Sequence, residues 1–331
     1  MNIYLTFDYE LFLGPRTGTV EKCLLEPTQR IMEIGKRYGV CFTFFVDVLY
    51  LLKAKEYIGM SEIIRQNYDL VCQQIIDLAK EGHSIQLHLH PQWYYSTYNL
   101  NQEEWQLDFE HYSLDACPKQ DVEKMVKDGM QKLKELSGQS VTAFRAGGYC
   151  FPQNPGYADL LYKYGIRKDS SVFMYRMESA SFWNFDYSNI IDYERYRFND
   201  SANTAIENGR FEEYPIASAK MLPCYCIPKR LIIGLIYKKK GSVSGDGLGV
   251  GARRSVSAKM WSIFNLMTHS IILPASIDSK KSVFLDSIIK SAVRKESDSF
   301  VIIGHPKNTS ELGLIKLNDI CKKYKKDIVT F

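Results

Sequence analysis

Long apolar runs are missing from this chain: the longest clearly apolar stretch, Leu231 to Tyr237, falls far short of the ~20 residues that span a bilayer, so no transmembrane segment is expected. A basic leader followed by an apolar region is missing as well. The chain opens Met-Asn-Ile-Tyr-Leu-Thr-Phe-Asp, which predicts a protein not exported by the signal-peptide route and located in the cytoplasm. Cysteine is present at Cys23, Cys41, Cys72, Cys117, Cys150, Cys224, Cys226 and Cys321, but never in CxxC or finger spacing. That pattern predicts reduced packing residues; Cys224 and Cys226 lack the second pair that would complete a metal site. No strong charge of either sign is present. Lys+Arg 42 against Asp+Glu 38 leaves a net +4, which gives no argument for a nucleic acid partner. Internal repeats and low-complexity tracts are absent too. What the chain does have is apolar and aromatic content, 45% and 13%, enough for a large core, and this excludes disorder, collagen and coiled coil as whole-chain readings.

At 331 residues the length suits two average domains or one large α/β barrel. From the start to about residue 170, β-rich runs alternate with helical periodicity, the signature of βα units feeding a parallel sheet or barrel. Asn2 to Phe7 reads as a strand, and Pro27 and Gly39 bracket a helix with Ile31, Ile34 and Tyr38 on its apolar face. Cys41 to Val46 reads as a strand buried on both sides. A helix from about Ser61 to Lys80 closes at Gly82, and His83 to His90 alternates as a strand that Pro91 ends. Gln120 to Leu136 and Tyr157 to Tyr164 read as helices around an extended Val141 to Phe144. Beyond this the rhythm weakens. Asn208-Gly209 predicts a tight hairpin between Ile206 and Phe211, and so a small β insertion. Lys229 to Arg254 carries seven basic residues (Lys229, Arg230, Lys238, Lys239, Lys240, Arg253, Arg254) and one acid, and reads as a mobile basic loop. Helices near Ala258 to Met267 and Val283 to Val293, a strand at Phe300 to Ile303, a helix around Ile315 to Tyr324 and a short final strand complete the expectation. The simplest organisation is one domain over 1–331, elaborated around 193–256.

Histidine is scarce, at six positions, and three of the six (His88, His90, His305) fall at predicted strand ends. Asp8 and Glu10 lie two apart at the end of the first strand, and period-2 geometry puts both carboxylates on one face. His88 and His90 repeat that spacing on a later strand. Barrel enzymes assemble their sites from the C-terminal ends of strands, so the two pairs can converge. Two imidazoles and a carboxylate form a three-ligand site with open positions, suited to Zn²⁺ or a similar divalent ion, which leaves one carboxylate as a base. Taken singly, each pair also suits a structural reading, as a solvated strand edge or a turn cap. His305 follows an apolar strand and has the chemistry of a proton donor, or caps a loop. Arg145, in Phe144-Arg145-Ala146-Gly147-Gly148-Tyr149, has a guanidinium able to hold a carboxylate bidentately, beside glycines that let the backbone approach a ligand; a surface ion pair is the plainer reading.

Thr6-Phe7-Asp8-Tyr9-Glu10, His88-x-His90-Pro91 after Gly82-His83, Phe144-Arg145 through Tyr149, and Ile303-Gly304-His305 resemble, in that order, the motifs of the polysaccharide deacetylase superfamily (NodB homology, carbohydrate esterase family 4). Ile166 to Val172 and Gly209 to Ile216 resemble later stretches of the same family. The resemblance implies an α/β fold, a distorted, incomplete (β/α)7-type barrel, and metal-dependent hydrolysis of N- or O-acetyl groups, mostly from sugars. Three departures are visible. Tyr9 stands where the family has its second acid, so the ligand role passes to Glu10. The two histidines are two apart rather than four. Arg-x-Pro-Tyr has become Arg-Ala-Gly-Gly-Tyr. The pattern resembles a subgroup associated with surface-polysaccharide gene products.

On that resemblance Glu10, His88 and His90 hold a divalent cation, Zn²⁺ first among them. Asp8 is then the base, oriented by Arg145, His305 protonates the departing amine, and the backbone near Tyr149 supports the oxyanion. Trp93 and Tyr94, with Tyr95 and Tyr98, offer either a platform for a sugar ring or packing under a loop. The implied partner is an acetylated sugar, nucleotide- or lipid-linked, with Lys229 to Arg254 either touching a membrane surface or forming a solvated loop with a buried strand. The alternatives are hydrolysis of another amide, as in allantoinase-like relatives, and a silent carbohydrate-binding homologue.

Overall fold

A computed structural model of the chain describes residues 1–180, 183–192, 194–236, 242–249 and 270–331. The helix expected at Ala258 to Met267 and the basic residues Lys238, Lys239, Lys240, Arg253 and Arg254 lie outside the described residues.

Nine strands form one curled sheet: β1 (Asn2–Tyr9), β2 (Thr43–Asp47), β3 (Ser84–Leu89), β4 (Ala143–Ala146), β5 (Lys168–Asp169), β6 (Tyr196–Phe198), β7 (Phe211–Glu213), β8 (Ser299–Gly304) and β9 (Ile328–Val329). Their order is β6-β7-β5-β4-β3-β2-β1-β8, with β9 also on the start of β1, and every pairing is parallel except that of β6 with β7. β2, β3 and β8 are buried at every residue, as strands with a filled interior on one face and helices on the other must be. Among the described residues no continuous ladder joins β8 back to β7. Single bridges of Ile216 with Phe173 and Val301, and of Ser276 with Ile303, span that seam, so the barrel is distorted and incomplete.

The connecting helices follow from local chemistry. α1 (Glu26–Tyr38) has Pro27 in its first turn and ends on Gly39, whose φ of 66° only glycine adopts cheaply. After α2 (Val48–Lys55), α3 (Glu62–Lys80) starts where the Ser61 hydroxyl accepts from the Ile64 N–H. α4 (Lys119–Ser137) buries Val122, Met125, Val126 and Leu133 at helical spacing. α5 (Tyr157–Lys163), α6 (Pro223–Ile236), α7 (Leu285–Arg294) and α8 (Glu311–Tyr324) follow, and a single helical turn, Gln92–Tyr95, lies just after β3. None of these is long and apolar enough to cross a membrane.

Two expectations for the second half need correcting. Asn208-Gly209 does not make a two-residue hairpin: the partner of β7 is β6, across the whole 199–210 connection, with Phe198 opposite Phe211. Gly209 is needed for a different reason, since a Cβ there would lie 2.6 Å from the Phe198 carbonyl oxygen. Within Lys229 to Arg254, residues 229–236 continue α6 as a helix rather than a loop with a buried strand, and Leu231 and Ile232 are exposed. A short apolar run does not distinguish helix from strand by periodicity. Residues 242–249 lie against the barrel rim. Ser244 and Gly245 donate to the Thr309 and Lys307 carbonyls, Leu248 donates to Arg16, and Asp246 accepts from the Thr19 N–H at 2.8 Å.

Candidate active site

Register places the chemistry in one layer at the C-terminal ends of the strands. Tyr9 pairs with Val46, Asp47 with His88 and His88 with Arg145, so Glu10, Asp47, His88 and Arg145 arrive at one level on adjacent strands. On the other side of β1, Phe7 pairs with Gly304, which brings Asp8 level with His305. Asp8, Glu10, His88, His90, Tyr149 and His305 all line one cleft of about 550 Å³.

Glu10 is the hub. Its Oε2 lies 2.6 Å from His90 Nε2 and 3.2 Å from His88 Nε2, while its Oε1 accepts from Lys307 Nζ at 2.8 Å. Burial pushes the Glu10 carboxyl up, but Lys307, His90 and the hydrogen bond with His88 outweigh it and hold it well below the usual carboxylate range. The two imidazoles cross at 81° with centroids 4.7 Å apart. His88 Nδ1 is 2.7 Å from the Arg145 carbonyl oxygen, which can only accept, so this nitrogen carries a proton. In the neutral ring Nε2 is then a bare lone pair aimed at an ionised carboxylate oxygen. Such an arrangement needs a positive centre between the donors, either a proton or a cation. Burial lowers His88, but Glu10 and Asp8 raise it to about 9, the proton's version of that demand. Three buried oxygen and nitrogen donors within 4.8 Å of one another, with one ring fixed from behind by a carbonyl, fit a divalent ion of the zinc type.

Asp8 faces the same space from the other side of Glu10. Arg145, fully buried, donates from Nη1 to Asp8 Oδ1 at 2.6 Å. The rest of its guanidinium is committed: Nε donates to the Ser170 carbonyl at 2.8 Å, Nη2 to Ser170 Oγ at 2.9 Å, and its plane covers the Phe45 ring at 4.2 Å. His305 Nε2 stands 3.6 Å from Asp8 Oδ2, and its Nδ1 donates to Asp278 Oδ2 at 2.8 Å. Asp278 also accepts the His305 backbone N–H at 2.8 Å. Burial works against a charged His305, but Asp278, with Asp8 and Glu10 behind it, raises it above its ordinary value. The ring is therefore biased towards its protonated form and aimed into the cleft.

The structure thus brings together Asp8, Glu10, His88, His90, Arg145, His305 and Tyr149, and leaves out Trp93 and Tyr94. Trp93 is fully buried against Tyr50 and Trp105 at 5.1 and 5.2 Å, and Tyr94 lies edge-on to Tyr95 with Lys124 over its ring; neither reaches the cleft. The aromatic wall is instead Tyr112 and Trp183, whose Nε1 donates to the Gly148 carbonyl at 2.6 Å. Sequence reasoning missed Asp278, Lys307, Asp47 and Ser170. Lys307 had the available signal: it stands two residues after His305, the spacing of the two pairs already recognised.

Residues 1–166 match the family model described as polysaccharide deacetylase. No curated protein matches the chain. Among solved structures, a protein from Mycobacterium smegmatis described as a polysaccharide deacetylase aligns over 98% of this chain and 85% of its own, at 16% identity and a TM-score of 0.53, a likeness of fold. A family 4 carbohydrate esterase from Streptomyces lividans, solved with acetate, aligns over 99% of this chain and 91% of its own, at 12% identity and a TM-score of 0.40. The matched half of the chain carries β1 with its two carboxylates, β3 with its two imidazoles and β4 with its arginine, and on that match the chain belongs to the polysaccharide deacetylase family.

Proposed function

We propose that the protein is a Zn²⁺-dependent N-deacetylase acting on an acetylated sugar or sugar conjugate in surface-polysaccharide synthesis. The observation that carries this reading is the meeting of Glu10, His88 and His90 on one carboxylate oxygen, with Asp8 and His305 beside it in the same cleft. A divalent ion held by Glu10, His88 and His90 would supply Lewis-acid polarisation of the acetamide carbonyl and a more acidic water.

The chain's own residues do the rest. Asp8, with one oxygen fixed by Arg145, presents Oδ2 to the attacking water and takes its proton. Arg145 is immobilised by Ser170, so the carboxylate keeps its pose as charge moves. A backbone N–H near Tyr149, where the chain turns through a φ of 67°, would support the developing oxyanion. His305 Nε2 gives its proton to the departing nitrogen, and Asp278 stabilises the charged ring until it does. Tyr112 and Trp183 offer apolar faces to the pyranose.

Acetate release from N-acetylated sugar conjugates by the Zn²⁺-loaded protein tests this. Wild type should turn over and Asp8→Asn should lose about a hundredfold or more in kcat while folding normally. Turnover of cyclic ureides but not acetylated sugars would move the assignment to another amide, and metal binding without either activity would make the protein a silent homologue.

A further inference from the structure

One cation on the cleft wall has no part in this chemistry. Lys281 lines the same cleft as Asp8, Glu10 and His305 and is exposed. The two acids of that lining are already matched, Asp8 with Arg145 at 2.6 Å and Glu10 with Lys307 at 2.8 Å. Asp278 lies near enough for its carboxyl to feel the Lys281 charge, yet its Oδ1 already accepts from the His305 N–H and its Oδ2 from His305 Nδ1, both at 2.8 Å. Among the described residues Lys281 has no ion-pair partner.

The lysine is placed by built structure rather than by a loose loop. It sits in the tight turn Ser279–Phe284, which begins immediately after Asp278. Its N–H donates to the Asp278 carbonyl at 2.9 Å, and Ser282 Oγ closes the turn on the Ser279 carbonyl at 2.7 Å. Ser279 takes a φ of 40°, a conformation that a non-glycine residue adopts at a cost and that clusters at ligand sites. The turn that anchors the carboxylate behind the proton donor therefore also delivers an ammonium group to the cleft. Once Arg145 and Lys307 are matched to acids, the surplus charge among the described residues of the cleft wall is positive, and a divalent ion on Glu10, His88 and His90 would add to it.

We propose that Lys281 is a specificity residue that binds an anionic substituent, a phosphate or a carboxylate, carried by the acetylated sugar close to its acetamido group. The proposal rests on the deacetylase reading and narrows its substrate class to acidic sugars. Phosphate on the anomeric carbon and carboxylate on the hexose ring share the chemistry an ammonium recognises.

Three compounds separate the cases: an N-acetylhexosamine 1-phosphate, the methyl glycoside of an N-acetylhexosaminuronic acid, and the neutral methyl N-acetylhexosaminide. Zn²⁺-loaded wild type should favour one or both acidic compounds, and which one identifies the source of the anion. Lys281→Gln should raise KM for the favoured compound about tenfold, leave its kcat within about twofold, and leave the neutral compound unchanged. Equal KM values for all three compounds in wild type, or an equal effect of Lys281→Gln on acidic and neutral ones, overturns the proposal. Titration calorimetry with the same compounds reads the subsite without turnover. If wild type releases acetate from none of them, the deacetylase reading fails, and tighter lysine-dependent binding of the acidic compounds, or its absence, still decides the role of Lys281.

Discussion

The Cα of Gly147 faces the His90 imidazole so closely that a methyl group in its place would lie 2.7 Å from His90 Nδ1 and 2.6 Å from the Leu89 carbonyl oxygen. Two departures from the family pattern therefore meet. The shortened histidine spacing brings the second ring to the end of β3, and Gly-Gly in place of the family's proline leaves room for it on the adjacent strand. Gly147→Ala should displace the ring and weaken Zn²⁺ affinity by about tenfold or more, the usual cost of disturbing what supports a ligand. Gly148→Ala meets the Tyr112 ring at 2.7 Å and should disturb the substrate wall instead, with Zn²⁺ affinity kept. Calorimetric titration of both variants distinguishes the outcomes; equal Zn²⁺ affinity in Gly147→Ala and wild type would remove Gly147 from the account.

Asp278 and His305 should behave as one unit. Asp278→Asn keeps the shape of the contact but removes the charge that holds His305 above its ordinary pKa against its burial. A general acid is active while protonated, so lowering its pKa moves the alkaline limb of the kcat profile to lower pH. We expect kcat to fall about a hundredfold with KM nearly unchanged, and the double variant with His305→Gln to be little worse than either alone. An alkaline limb unmoved in Asp278→Asn would show that the proton comes from elsewhere.

His83 supplies a pH-dependent part of stability far from the chemistry. Its ring stacks on Phe42, its Nδ1 accepts the Phe42 N–H at 2.9 Å, and burial lowers its pKa to about 4. The unfolded chain takes up this proton below about pH 6.5 while the folded chain refuses it until about pH 4, so stability is full above 6.5 and falls as pH drops through that window. Between pH 7 and 4 the loss from this group is on the order of 3 kcal/mol. Denaturant unfolding of His83→Gln should show a pH dependence shallower than wild type by that amount, and superimposable pH profiles would contradict it.

The fold was legible where sequence punctuation is strong. Pro27 and Gly39 around α1, Ser61 and Gly82 around α3, and the fully buried run of β8 each state a boundary through backbone chemistry. The acid and histidine pairs were legible because period-2 spacing at strand ends is local information. Asp278 was not, since it follows a strand through Ser276 and Ile277 and gains its meaning only when the seam brings it to His305. Asp47 ends β2 beside an apolar run and carried the same signal as Asp8, but it had no second polar residue two positions on. Aromatic residues were the least legible. Trp93 and Trp183 look alike in sequence, and only the packing of Tyr50 and Trp105 over the first, and the Gly148 carbonyl under the second, sends one to the core and the other to the cleft.

The ligand set itself is tested most directly by the metal content of the purified full chain after equilibration with Zn²⁺ and removal of the excess, read by mass spectrometry for wild type, Glu10→Gln, His88→Ala and His90→Ala. The account predicts one tightly held ion per wild-type chain and its loss from each of the three variants, all of which remain folded. A wild type that retains no ion, or three variants that each keep it, would contradict the assignment of Glu10, His88 and His90 as the site.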